Sequence, residues 1–282
     1  MNRTPAIGWT ILTGAALAAS FGSLLIQLGF AILAIGVVGM AHGASDLAIV
    51  EPRRRPLFLI LYAAISLICL AWWTGYPQVA LPLFLIASAI HFGVEDAPDG
   101  SLWERVARGL FLVTTPAVLH QQGYGIILSF AAGNEIAPLA LSMASIMGGV
   151  AAAFVLALAL QRRDGHLLIG TGALLILPPL VGFSVGFLVL HALPQTDIRR
   201  AEIGCASYRA YVRAVAPILL AAIIIAASVG ALFFYREGTG IRALFAGIAA
   251  LAMPHLLVTP WFEGRMRFCT MTMGKGRVTL SS

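Results

Sequence analysis

The chain carries six histidines, and five of them, His42, His91, His120, His191 and His255, lie in or at the ends of apolar segments. Only His166, in Arg162-Arg-Asp-Gly-His, stands plainly at a water boundary. A single imidazole in such a segment is ordinarily a packing residue with its hydrogen bonds satisfied. Five are costly to bury, and ionisable groups inside membrane segments are candidates for function. Neutral imidazole is also the commonest transition-metal ligand, so the set points to a metal site. Carboxylates accompany it: Asp46 follows His42 by four positions, and Glu95 and Asp96 follow His91 by four and five. A metal-bound histidine usually gives its other ring N–H to a carboxylate or carbonyl, which fixes the tautomer. Asp46, on the same helix face as His42, and Asp96 suit that role. Glu95 reads as readily as a helix end facing water. Pro194 and Pro254 adjoin His191 and His255. Each frees a carbonyl on the preceding turn, which in lipid must be compensated by an interior polar site.

The elements that hold these residues are membrane spans. Of 282 residues 60% are hydrophobic and only 11% charged, too few polar side chains to cover a water-facing surface. Several apolar runs exceed the ~18 residues that mark a bilayer span. The expected fold is all-α, a polytopic bundle of eight or nine hydrophobic segments. They fall near 7–27, 29–50, 57–76, 79–96, 108–131, 137–160, 166–193, 211–235 and 241–262. The first run flows directly into the next, which argues against a cleaved signal peptide. The whole chain, 1–282, reads as one integral membrane domain with a flexible tail at 265–282.

The net charge of +6 follows from Lys and Arg in short loops, so it speaks of topology and not of nucleic acid. Cys69, Cys205 and Cys269 show no metal or disulfide spacing. Arg53 to Arg55, Arg105 with Arg108, and Arg162 with Arg163 end alternate spans, which puts the N-terminus and these loops in the cytoplasm. Arg199, Arg200, Arg209 and Arg213 then fall on the wrong side, as do Arg265 and Arg267. Segment 166–195 is too short for two crossings, but Pro178-Pro179 interrupts it. Either two half-helices meet at that break and return to the cytoplasmic side, or one positive loop violates the rule. The half-helix reading also brings His191 to the depth of His42 and His91.

The motifs Gly39-Met-Ala-His42-Gly-Ala-Ser-Asp46, His91-Phe-Gly with Asp96, Pro116 to His120, His191, and Pro254-His255 occur in one order across about residues 36–262. In this the chain resembles the Brp/Blh family of membrane β-carotene 15,15′-dioxygenases. The resemblance implies non-haem Fe(II) held by histidines, O₂ as co-substrate, and central cleavage of β-carotene to two retinal molecules. It further implies the cell inner (plasma) membrane, and delivery of product to a microbial rhodopsin. His42, His91 and His191 match the family's iron ligands. The family pattern has a further histidine four residues after His191, where this chain has Gln195. Gln195 or His255 is then the fourth ligand, with Asp46 and Asp96 supporting the set. A tunnel open to lipid is expected, with Trp72, Trp73, Phe92, Trp103 and Phe183 as candidate lining.

Other classes are weaker. The HxxH-like boxes of membrane di-iron enzymes are absent from the sequence, and no convincing substrate-pairing charge lies deep in a span as in a transporter. A bis-histidine haem carrier could use His120 with His255. A catalytically silent or altered carotenoid- or retinal-binding membrane protein is the alternative that Gln195 keeps open.

Overall fold

The computed structural model describes residues 6–237 and 240–274, with 6, 236, 237 and 263–274 described by backbone alone. The described residues are helical, with no strand. Helices α1 (Ala6–Ser20) and α2 (Leu24–Leu33) lead through a π-turn at Ala34–Val38 and two 3₁₀ turns, Gly39–Ala41 and Gly43–Ser45, into α3 (Asp46–Ile49). Then come α4 (Arg55–Gly75) and α5 (Pro77–Asp96), with a proline in the first turn of each. A first-turn proline gives up no helix hydrogen bond. Beyond them lie α6 (Leu102–Thr114), α7 (Pro116–Leu119), α8 (Gln121–Ala132), α9 (Pro138–Arg162), α10 (Gly165–Ile176), α11 (Pro179–Phe187), α12 (Leu193–Glu202), α13 (Tyr208–Glu237) and α14 (Ile241–Gly274).

Among the described residues, seven helical stretches are long and apolar enough to cross a membrane, and two shorter apolar helices, Ile7–Ser20 and Gly165–Ile176, accompany them. The chain is a polytopic helical membrane bundle. The segment expected as one span at 108–131 is broken twice, at Thr115 and at His120. The expected tail lies outside the described side chains, and from residue 275 outside the described residues altogether.

Small residues set the closest contacts, as they do where helices pack in lipid. A Cβ on Gly109 would stand 2.0 Å from the carbonyl oxygen of Ala89, and one on Gly93 2.4 Å from that of Arg105. These two glycines let the backbones of α5 and α6 touch. Glu104 then ties α6 to α9 through a fork of hydrogen bonds from Arg162, 2.6 and 2.8 Å, with Arg108 3.2 Å away. The Arg162 fork, with Arg108 beside it, holds the Glu104 carboxyl below its usual range.

The break at Pro178 reverses the chain. Gly182 lies against the carbonyl of Ala173, Gly186 against Leu174, and Gly170 against Leu190. Helix α10 therefore runs inward for twelve residues, roughly 18 Å, and α11 runs back beside it. His120 stands at this turn with Nε2 3.1 Å from the carbonyl oxygen of Ile176, the last residue of α10. That carbonyl lacks a partner in its own helix, so His120 caps it. His120 and His255 are thus far apart in depth, and no facing haem pair forms between them.

The return brings the described arginine-rich loops to one end of the bundle. Arg162 meets Glu104 there, Trp9 stacks on His166, Tyr211 donates to the carbonyl of Ala41, and Arg54 lies over Phe262. The arginines after His191 share this basic end with those of the earlier loops. At the opposite end Gly240 meets Leu28, and Arg242 meets Gly133.

Candidate metal centre

Four of the five buried-segment histidines meet near the basic end. The ring centroids of His42 and His191 are 5.1 Å apart, His191 and His91 5.1 Å, His91 and His255 5.2 Å, and His255 and His42 5.4 Å. The rings close a quadrilateral, each edge-on to its two neighbours. His42, His191 and His255 are buried, and His91 is half-buried.

Each ring is delivered by a local irregularity. His42 is the joint between the two 3₁₀ turns. Gly39 before it has no room for a side chain, since a Cβ would lie 2.5 Å from the Phe187 ring. His191 sits in a π-turn, Leu188–Ala192, directly before α12. Such turns occur mostly at functional positions. Pro194 follows directly on this π-turn, where the wider winding already interrupts the regular ladder of helix hydrogen bonds. His255 follows Pro254 inside α14. Proline there strips the Ala250 carbonyl of its partner. The Ser66 hydroxyl of α4 donates to that carbonyl at 2.7 Å, and the Tyr62 hydroxyl to Leu251 at 2.8 Å. Two hydroxyls on α4 thus repair the kink that presents His255.

The carboxylates are paired differently from the sequence expectation. Asp46 does not serve His42; it accepts from His255 Nδ1 at 2.6 Å and from the Thr259 hydroxyl at 2.7 Å. The reason is the 3₁₀ winding between them. At ~120° per residue, four residues carry Asp46 about 120° away from His42, against about 40° in an α-helix. The His42 Nδ1 is instead held by the carbonyl of Gly39 at 2.5 Å. Asp96 does not serve His91 either; it pairs with His191 Nδ1 at 2.8 Å. Five α-helical residues place it about 140° from His91, facing the neighbouring helix.

Three imidazoles therefore have Nδ1 engaged, which turns Nε2 toward the centre. The Nε2 of His255 is fully buried without a hydrogen-bond partner. Buried polar atoms rarely stay unpaired, and an orphaned imidazole nitrogen among three other imidazoles fits a first-row metal ion. Glu95, left aside in the sequence as a helix end, also reaches the centre. Its carboxylate is 3.6 Å from His91 Nε2, and donor atoms of His91, Glu95 and His191 lie within 4.8 Å of one another. The signal for it was its α-helical spacing of four from His91. Gln195 is buried but outside the ring, its amide nitrogen 3.2 Å from the carbonyl oxygen of Glu95. It braces the last turn of α5.

A cavity of about 570 Å³ opens from the imidazoles, lined almost wholly by apolar side chains of α4, α5, α8, α11, α13 and α14. Phe92 and Phe183 line it as expected. Trp73 is buried behind it, against Phe84 and Phe245. Trp72 and Trp103 lie on the outside of the bundle. Leu59, Leu67 and Ile225 both line the cavity and are exposed on the bundle surface, so the cavity opens sideways between α4 and α13.

Comparison with curated proteins and with solved structures gives no match. Comparison with family models gives one, described as beta-carotene 15,15′-dioxygenase, over residues 33–263. That stretch contains all four clustered histidines, Asp46, Asp96 and both helices flanking the mouth of the cavity, and the chain belongs to the β-carotene 15,15′-dioxygenase family.

Proposed function

We propose that this protein splits the central double bond of β-carotene with O₂ at a non-haem Fe(II) held by His42, His91, His191 and His255. The observation that carries the reading is one arrangement: four converging imidazoles at the end of a lipid-accessible apolar cavity. The reaction balances without a further reductant. The C=C bond breaks, each carbon takes one oxygen atom of O₂, and two aldehydes, both retinal, result.

The protein's own part is mostly placement. Iron(II), when bound, supplies the one-electron chemistry that O₂ needs. Asp46 and Asp96 hold His255 and His191 in the tautomer that leaves Nε2 free. The Glu95 carboxylate adds negative charge beside the centre. The hydrocarbon substrate passes from bilayer to cavity without leaving an apolar medium, so binding carries little desolvation penalty. In this reading the bundle lies in the plasma membrane with its N-terminus and basic loops on the cytoplasmic side, the arrangement that arginine-rich short loops favour. A microbial rhodopsin is the natural consumer of retinal.

His255 rather than Gln195 is the fourth ligand in this reading, because the His255 ring closes the quadrilateral and lines the cavity with its buried Nε2 unpartnered, and Gln195 does not line it. The test is expression in β-carotene-producing cells. Loss of colour with retinal formation supports the enzyme. Stable colour, with carotenoid co-purifying intact with iron-loaded protein, would instead identify a carotenoid-binding relative.

A further inference from the structure

The cavity has a defined far end. From His255 the lining of α14 runs back to Phe245 and Leu244, ten and eleven residues away and roughly 15–16 Å of helix. Helix α4 runs antiparallel beside it. Tyr62 meets Leu251 near the histidines, and Trp73 meets Phe245 at the other end, 6.5 Å between ring centroids. Trp73 also packs edge-to-face on Phe84 of α5 at 5.9 Å and is 1% exposed. Three aromatic rings from three helices thus stack at the end away from the imidazoles, Phe84 and Phe245 in the cavity wall and Trp73 behind them. Elsewhere the cavity has its side opening past Leu59, Leu67 and Ile225.

An extended substrate longer than the cavity can have only one half inside. One half of an extended carotenoid, polyene plus terminal ring, is about 15 Å long, from bonds of ~1.3–1.5 Å laid in a zig-zag. We propose that the Trp73–Phe84–Phe245 stack is a stop that measures one half of the substrate and so sets its central double bond beside the imidazoles. The other half projects through the side opening toward lipid. This rests on the dioxygenase reading and adds the residues that choose the bond. Trp73 acts from behind, holding the rings of Phe84 and Phe245, and is a positioning residue.

One-sided measurement has a consequence that two-sided enclosure lacks. The inserted half must be intact, while the projecting half is free to vary. A carotenoid shortened at one end should still be cut at the same distance from its remaining ring.

The test is product analysis by chromatography and mass spectrometry, with iron-loaded wild type, Phe245→Ala, Phe84→Ala and the milder Phe245→Leu. Wild type is expected to give retinal from β-carotene, and also from a carotenal that keeps one ring. The deepened variants let the ring slide past the stop. Retinal should fall by roughly tenfold relative to unequal aldehyde pairs, since small changes in an apolar pocket discriminate by ~10–200-fold. Iron content, measured on each variant, reports whether the site has folded. If the alanine variants lose iron, Phe245→Leu with iron at wild-type level decides the question. Retinal alone from an iron-loaded variant, at the wild-type rate, overturns the stop. No aldehyde from iron-loaded wild type overturns the dioxygenase reading instead.

Discussion

His255 and Asp46 lie 209 residues apart in the chain and share a hydrogen bond of 2.6 Å. Through it the irregular end of the second apolar segment controls a ring on the last one. Asp46→Asn should therefore weaken iron binding about 10–100-fold, the usual effect of losing a carboxylate behind a ligating histidine. Metal titration followed by iron absorption or paramagnetic resonance measures it. Unchanged affinity would mean that His255 does not hold the metal.

His255→Ala and Gln195→Ala should differ sharply. The first removes an imidazole from the quadrilateral and should abolish both bound iron and retinal formation. The second removes a brace on α5 and should leave most of the iron in place, with a loss of stability of about 1 kcal/mol from one hydrogen bond. Iron stoichiometry of the two purified variants distinguishes them, and the reverse order would restore Gln195 to the ligand set.

The half-depth return makes a labelling prediction. In a background free of native cysteine, a probe placed at Asn134 should react with an impermeant external thiol reagent in intact cells. A probe at Glu202 should be protected, because the arginines around it share the basic end with Arg105 and Arg162. Rapid labelling at Glu202 would contradict the return at Pro178.

Gly109→Val should be among the most destabilising single changes in the chain. The Ala89 carbonyl stands 2.0 Å from where a Cβ would sit, and backbone cannot swing aside as a side chain can. Overpacking of this kind typically removes ~1–3 kcal/mol and often more. Gly247→Val, where a Cβ would meet nothing within 4 Å, is the control. Thermal unfolding in detergent should separate the two.

The Glu104 ion pair makes stability depend on pH. Its carboxyl is held below the unfolded value by Arg162, so its stabilisation is present above the unfolded pKa. It is lost as pH falls through the lower, folded pKa. The gap in unfolding temperature between wild type and Glu104→Gln should therefore be largest near neutral pH and shrink in acid. A gap that does not change with pH would remove charge from the explanation.

Much of this was legible from composition and spacing. Long apolar runs pointed to the helical membrane bundle, and the Pro178-Pro179 pair with the later arginines raised the return as one of two readings. The histidines that cluster were visible because imidazoles are rare in apolar segments. The partnerships among them were not. Spacing rules assume regular α-helix, and the 3₁₀ turn after His42 leaves Asp46 about a third of a turn away from it. Which histidine Asp96 serves was not legible, because the facing helix, with its π-turn at His191, has no distinct sequence signature. Glu95 was set aside because a carboxylate at a helix end usually faces water. Gln195 and His255 could not be ranked from the chain, because only the folded arrangement brings the His255 ring against those of His42 and His91.

The half-depth excursion of α10 also governs parity. Counted as hydrophobic segments, the chain has nine, an odd number that would leave its two ends on opposite faces of the bilayer. A helix that enters and turns back contributes no crossing, so the count becomes even and the described chain begins and ends at the same face. Hydropathy alone cannot register that distinction. A reporter fused beyond α14 would read the side of the N-terminus, and it would do so because of two adjacent prolines.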